Sequence, residues 1–188
     1  MPDPTGGMIE AILRLKIVLV DTEPPIWRRV EVLVATTLRQ LHAVIQAATG
    51  WDDNHLYQFH RGRDTLPARL PLDELTARGV KRFTYVYDMG DSWEHRIQIE
   101  KQLGADPGVS YPRFVDGAMR CPPEDVGGIP GFYGFLEAIA DPRHPDHDDQ
   151  LDWHGGPFDP DNLDLDRINK ELNRIATRRQ RAAEKRRT

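Results

Sequence analysis

The alternation of apolar and polar side chains predicts two strands at the start of the chain. Between residues 9 and 19 every odd-numbered position is apolar, and the charged side chains fall on even positions. A period of two is typical of a half-buried strand. Residues 26–34 alternate in the same way, and Pro24-Pro25 separates the two runs. We expect two antiparallel strands joined by a turn.

The period then lengthens to that of a helix. Leu38, Leu41, Ile45 and Ala48 recur at helical spacing, Thr36 or Thr37 can cap this helix, and Gly50 ends it. After this helix, a short strand is predicted around residues 56–60. Shorter helices are predicted over 72–77 and 131–140. A longer one opens at 163 or 164 with an apolar stripe: Leu165, Ile168, Leu172 and Ile175.

A β-hairpin is predicted from residues 80–88 and 92–102. Its turn is expected to place Gly90 in the left-handed conformation, as the extra residue of a bulge. This register puts seven large side chains on one buried face of the sheet: Phe83, Tyr85, Tyr87, Trp93, His95, Ile97 and Ile99. A slip of one residue would mix polar and apolar positions, so the pattern itself selects the bulged turn.

From Leu103 to residue 131 the sequence predicts mostly loop. Residues 141–166, which include nine aspartates, are predicted to be an irregular acidic segment. The fold class predicted is α+β, a mostly antiparallel sheet packed by helices on one side, with a long C-terminal helix. We expect a single domain over residues 9–175 and a basic tail over 176–188. Because no large apolar side chain follows Ile175, the tail is expected to project into solvent or fray.

Composition limits the class of protein. The chain has 188 residues, of which 39% are hydrophobic and 29% charged, with a formal net charge of −5. The apolar run at residues 9–20 is too short and too charged to span a bilayer, so no membrane association is expected. Cys121 is the single cysteine. A disulfide framework is therefore excluded, and a cytoplasmic location is expected.

The charge is unevenly distributed along the chain. The residues from 174 onward carry seven bases and one acid, which gives +6 and leaves −11 for the remainder. Such a basic arm suggests nucleic acid or an acidic protein as partner, although charge runs are often only solvated faces. The candidate nucleic-acid-binding residues are Arg174, Arg178, Arg179, Arg181, Lys185, Arg186 and Arg187.

Carboxylates near the hairpin turn and near Cys121 are candidate ligands for a divalent metal ion. Hard cations need oxygen ligands, with a histidine as a further ligand or base. The candidate set is Asp88, Asp91, His95, Glu124 and Asp125. The same residues also fit a structural interpretation, because Asp is favoured at tight turns and His95 can be a core histidine. His144 and His147 lie in a segment rich in Pro and Asp that reads as a solvated loop.

Several motifs together resemble the plasmid pRiA4b ORF-3-like family. They are Ile26-Trp27-Arg28-Arg29, the stretch Tyr87-Asp88-Met89-Gly90-Asp91-Ser92-Trp93-Glu94-His95, Cys121-Pro122-Pro123-Glu124-Asp125, and the Gly131-Phe132-Tyr133 helix start. The similarity extends over roughly residues 9–172. The resemblance implies an α+β fold. Members of the family are found on plasmids and chromosomes of bacteria and archaea. Some members are labelled resolvases or adjoin DNA-binding domains, and no activity is established.

The resemblance also implies cysteines flanking the Cys121 motif. Phe114 and Val126 stand at those places in this chain, which argues against a thiolate-rich zinc site.

Two functions are consistent with these patterns. The first is a binding or interaction module, associated with nucleic acid or mobile elements through the basic arm. The second is a metal-dependent hydrolase or nuclease built on the carboxylate and histidine cluster. The chain contains no helix-turn-helix signature and no complete catalytic motif, so sequence patterns leave its status as an enzyme open.

Overall fold

A computed structural model describes residues 10–185 as one seven-stranded antiparallel sheet with five helices. The sheet order is β4-β3-β5-β6-β1-β2-β7. The strands are β1 Ala11–Leu19, β2 Trp27–Leu33, β3 Tyr57–Arg61, β4 Asp64–Leu66, β5 Arg82–Tyr87, β6 Trp93–Gly104 and β7 Arg113–Ala118. The helices are α1 Leu38–Thr49, α2 Leu72–Ala77, α3 Gly128–Ala140, α4 His147–His154 and α5 Leu165–Lys185. None of the helices within these residues is both long and apolar enough to cross a membrane.

The first strand pair confirms the prediction from alternation. β1 pairs antiparallel with β2 on one side and with β6 on the other. Four odd positions of β1 are buried in the main core, Leu13, Leu15, Ile17 and Leu19, while the Arg14 side chain lies on the opposite face. There Arg14 and Arg113 both bond to the buried carboxylate of Glu31, so that face of the sheet is charged.

Helices cover the apolar face. α1 begins after Thr37, whose hydroxyl accepts from the backbone N of Gln40 while the Gln40 side chain accepts from the backbone N of Thr37. Gly50, with φ of 84°, ends it as predicted. α5 packs against α1 and also contacts β7. Its Ile168, Leu172 and Ala176 are buried, whereas Leu165 is 47% exposed and does not join the predicted stripe.

The β5–β6 hairpin has the predicted buried face but a different turn. Tyr85 pairs with His95 and Tyr87 with Trp93, and all four side chains are buried. Gly90, however, does not have a positive φ; Asp88 and Ser92 do, each at 56°. The prediction for Gly90 was wrong because the loop spans five residues, and the Asp88 side chain stabilises it by accepting from the Gly90 backbone N at 2.8 Å.

Three elements lie where the sequence predicted none: the short strand β4, which pairs with β3, the strand β7 and the helix α4. β7 falls in the stretch interpreted as loop, where it pairs with β2 at the edge of the sheet. α4 falls inside the acidic stretch 141–166, and none of its residues is buried. An exposed helix lacks the apolar period on which the prediction depended, which explains why it was missed.

Candidate functional site

Three side chains from separate segments bring metal-ligating atoms together beside the hairpin loop. Nε2 of His55 lies 3.0 Å from a carboxylate oxygen of Asp125 and 3.7 Å from one of Asp88. Within residues 10–185 no other group of at least three His, Cys, Asp or Glu side chains has ligand atoms all within 4.8 Å of one another. Asp88 is buried and Asp125 exposed, so solvent reaches the cluster from the Asp125 side.

The hairpin loop positions Asp88. An aspartate tolerates the left-handed conformation better than most residues, because its short side chain bonds to the local backbone. Here one carboxylate oxygen of Asp88 accepts from Gly90, and the backbone O accepts from the Ser92 backbone N at 2.7 Å. The other carboxylate oxygen faces His55.

The hydroxyl of Tyr87 connects the segments that carry His55 and Asp125. It accepts from the backbone N of Asn54 at 3.0 Å and of His55 at 3.3 Å, and donates to Oε1 of Glu124. Burial raises the pKa of Tyr87, and its bond to the Glu124 carboxylate raises that pKa further. Tyr87 is therefore a neutral donor that fixes both segments beside the hairpin.

Two of the predicted ligands bond elsewhere. Oε2 of Glu124 accepts from the backbone N of Asp52 at 3.1 Å, so both of its oxygens are engaged. A carboxylate oxygen of Asp91 accepts from the backbone N of Gly127 at 3.1 Å, just before α3. A Cβ at Gly128 would lie 2.8 Å from the backbone O of Asp91, so glycine permits this close approach. Asp91 thus attaches the hairpin loop to the start of α3.

His95 lies in the core and is not part of the cluster. Its ring is 1% exposed, contacts Trp51 edge-on, and has Nδ1 3.1 Å from the backbone O of Trp93. Nε2 of His95 has no hydrogen-bond partner within the described residues. Burial lowers the pKa of His95 to about 4, and the Arg28 charge adds to the lowering. The histidine is therefore neutral at physiological pH.

Sequence patterns missed His55, the histidine that does meet the carboxylates. It lies in the polar run Asp52-Asp53-Asn54-His55, between α1 and β3. A polar run after a helix is typical of a loop, and only the pairing of β3 with β5 brings this loop beside Asp88. His144 and His147 have local partners instead, the backbone N of Asp146 and the backbone O of Ala138.

Cys121 is buried beside Arg28, a positive charge that the sequence motif did not reveal. Nη2 of Arg28 lies 3.3 Å from the Cys121 sulfur. Burial raises the pKa of the Cys121 thiol, and the Arg28 guanidinium offsets only part of that rise. The thiol is therefore protonated at neutral pH, as expected for a structural cysteine.

The predicted nucleic-acid-binding residues divide between two sides of α5. Exposed bases spaced three or four residues apart form what we call the basic face: Lys170, Arg174, Arg178, Arg181 and Lys185. Arg179 points inward instead, is half-buried, and donates to the Thr36 hydroxyl at 3.1 Å. Gln180 bonds to Ser110. Arg186 and Arg187 lie outside the described residues.

These contacts correct the expectation that the chain after Ile175 projects into solvent or frays. The helix continues to Lys185, Ala176 is 1% exposed, and Arg179 holds this part of α5 against the body. The domain limits of 9–175 and 176–188 stay a prediction, and α5 runs through residue 176 without a break.

Comparison with known proteins identifies the family. The family model described as plasmid pRiA4b ORF-3-like protein matches residues 11–167. The chain belongs to this family. All the residues of the cluster lie inside the matched range, and the whole basic face lies beyond it.

Two proteins similar to this chain are described as uncharacterized or of unknown function. The uncharacterized protein y4hQ of Sinorhizobium fredii is 37% identical over 186 residues, covering 91% of this chain and 95% of its own length. A crystal structure of a protein of unknown function, MM3350 of Methanosarcina mazei Go1, has a TM-score of 0.77 at 31% identity. That match covers 84% of this chain and 97% of the archaeal one. The similarity is consistent with the α+β fold and assigns no activity.

Proposed function

We propose that this protein is a nucleic-acid-binding module that contacts phosphates through the basic face of α5. The observation that carries the proposal is the separation of charges on this helix. Arg179 is directed inward and bonded, whereas Arg178 and Arg181 are exposed and form no ion pair within residues 10–185. Arginines held on one side of a docked helix are suited to contacting a row of phosphates.

The dimensions of the basic face suit a duplex. It runs from Lys170 to Lys185, about 22 Å along the axis at about 1.5 Å per residue. B-DNA carries about one charge per 1.7 Å of its axis, so this length offers about 13 phosphates. The five bases of the face therefore limit the number of direct contacts to about three to five. Because no base-reading motif accompanies the helix, we expect binding that depends on charge and not on sequence.

The experiment compares two triple variants that change the net charge equally. In the first, Arg174, Arg178 and Arg181 of the basic face become Gln. In the second, the exposed Arg61, Arg63 and Arg69, on and after β3, become Gln. Fluorescence anisotropy with a labelled duplex at low salt should show at least about a tenfold weaker affinity for the first variant. The second should bind like the wild type. Equal weakening would indicate a net-charge effect and contradict the proposal.

A second candidate function is divalent metal binding by His55, Asp88 and Asp125. The observation that favours it is the compact group of one imidazole nitrogen and two carboxylate oxygens. Ligands about 2.1 Å from a tetrahedral ion are about 3.4 Å apart, so small side-chain movements would complete the geometry. An ion there would supply Lewis acidity or an activated water for hydrolysis. Tyr87 and Glu124 would hold the supporting loops in place.

Calorimetric titration with Mn²⁺ and Zn²⁺ tests this second candidate. Asp88→Asn should weaken binding by about tenfold or more, because it removes a charged ligand. Asp91→Asn is the matched control, since Asp91 lies in the same loop but bonds to Gly127. Binding that both variants reduce alike, or that neither reduces, would contradict metal binding at this cluster.

A further inference from the structure

A small cavity lies between the end of α1, the segment 120–124 and the start of α5. Its volume is about 190 Å³. Two sequence motifs contribute to it, through Arg28 of the first and Cys121 of the second, and neither the basic face nor the metal-like cluster uses these two residues. Trp51, Phe158 and Ile168 supply apolar wall. The cavity is thus separate from the surfaces discussed above.

Arg28 is a buried cation without a carboxylate partner. It is 2% exposed, and within residues 10–185 it forms no ion pair. Its Nε donates to the backbone O of Ala48, and its Nη1 to those of Trp27 and Ala118. Nη2 donates to the Cys121 sulfur. A guanidinium has five N–H groups, so one on Nη2 remains. Buried charges are normally paired, and here only dipoles and a thiol surround the charge.

A second guanidinium in the same cavity also lacks a carboxylate partner. Arg120 lies over the Phe158 ring, 4.9 Å from its centroid, and forms no ion pair within the described residues. The face of an aromatic ring orients a guanidinium without neutralising it. The third arginine, Arg167, donates to Asp52 at 3.2 Å. Two unneutralised guanidiniums therefore line one cavity.

The three carboxylates that line the cavity are engaged by other groups. Asp52 pairs with Arg167. Glu124 accepts from Tyr87 and from the backbone N of Asp52. Asp164 accepts from the backbone N of Arg167 at 3.3 Å, at the start of α5. None of the three forms an ion pair with Arg28 or Arg120 in the described part of the chain.

We propose that this cavity binds a small oxyanion of the phosphate class, held by Arg120 and by the remaining N–H of Arg28. Arginine recognises phosphate through charge-assisted hydrogen bonds, which are among the strongest in proteins. The volume limits the ligand, because about 190 Å³ equals the share of about six water molecules. Inorganic phosphate or a small phosphomonoester fits, whereas a nucleotide requires a larger pocket.

Thermal unfolding and calorimetry with inorganic phosphate test the proposal, against sodium chloride at equal ionic strength. Phosphate should raise the unfolding temperature of the wild type, because ligand binding stabilises the folded state. Arg120→Gln should weaken phosphate affinity by about tenfold or more, the loss expected for one charge-assisted hydrogen bond. Arg78→Gln, at an exposed arginine directly after α2 and outside the cavity, should leave the phosphate affinity unchanged. Wild-type affinity in the Arg120 variant would overturn the proposal.

The single cysteine locates the bound anion independently of arginine substitutions. Cys121 lines the cavity, so at alkaline pH, where part of the buried thiol ionises, occupancy by phosphate should slow its alkylation by the neutral reagent iodoacetamide. The protection should follow the same concentration dependence as the calorimetry. Phosphate that binds without protecting Cys121 would place the anion elsewhere and overturn the assignment. No specific effect of phosphate up to about 10 mM would overturn it as well.

The two proposals are separable by their variants. Arg120→Gln should leave duplex affinity unchanged, because Arg120 is not on the basic face. The triple variant of the basic face should leave phosphate affinity unchanged for the converse reason. Failure of one binding activity therefore does not imply failure of the other.

Discussion

His95 illustrates how a residue attractive for chemistry can serve the core instead. Its ring packs against Trp51 and Tyr85, and Nδ1 bonds to the backbone of Trp93. The pKa of His95 lies at about 4 in the folded protein, because burial and the nearby Arg28 disfavour the charged form. In the unfolded chain the pKa returns to about 6.5, so unfolding takes up a proton between these values.

Stability should therefore fall as the pH drops below about 6.5. Between pH 7 and pH 5, His95 alone should reduce the free energy of unfolding by roughly 2 kcal/mol. His42, whose pKa is lowered by burial, contributes with the same sign. Urea unfolding of His95→Phe at both pH values should show a drop smaller by that amount than in the wild type. An identical drop in both proteins would contradict the assignment of His95.

The position of an individual residue was predictable where burial in a strand determines it. It was less predictable where the conformation of a loop determines its contacts. The inward direction of His95 follows from strand alternation, which is a local property. The partners of Asp91 and His55 could not be predicted from strand alternation, because each contact depends on a loop that reaches a segment distant in sequence. The prediction for Gly90 failed for the same reason. The left-handed conformation expected at Gly90 occurs at Asp88 instead, and the Asp88 side chain accepts a hydrogen bond from the Gly90 backbone N.

α5 shows that a small side chain can extend the contact of a helix with the body. The apolar stripe ends at Ile175, yet Ala176 is buried and Arg179 bonds to Thr36. Charged residues with long apolar stems cover surface in this way while their heads find polar partners. The basic face is thus held on a docked helix.

Substituting Ala176 tests this docking. Ala176→Glu places a charge in the contact between α5 and the body, and should lower the free energy of unfolding by about 2–4 kcal/mol. Ala182→Glu, an exposed position on the same helix, introduces the same side chain and should change it by less than about 0.5 kcal/mol. Chemical unfolding measures both. Equal effects would mean that the C-terminal part of α5 is not docked.

Strong periodicity made most elements predictable. β1, β2, α1 and the β5–β6 hairpin each combine a clear period with an end signal, such as Pro24-Pro25 or Gly50. β7 and α4 have neither a clear hydrophobic period nor an end signal. β7 is an edge strand with one neighbour, and its placement depends on pairing with β2, which is a tertiary effect.

The whole molecule combines an acidic body with a basic helix. The residues from 174 onward carry +6 against −11 for the rest. The net negative charge of the body repels a polyanion, whereas the basic face of α5 attracts it. We therefore expect association with nucleic acid that is weak, oriented and sensitive to salt.

The salt dependence of duplex binding tests this central claim most directly. The logarithm of the association constant should fall linearly with the logarithm of salt concentration, with a slope of about −2.7 to −4.5 for three to five phosphate contacts. The triple Gln variant at Arg174, Arg178 and Arg181 should flatten the slope by about 2 to 3. The triple variant at Arg61, Arg63 and Arg69 should retain the wild-type slope. An unchanged slope in the basic-face variant, or no binding by the wild type at low salt, would contradict the account.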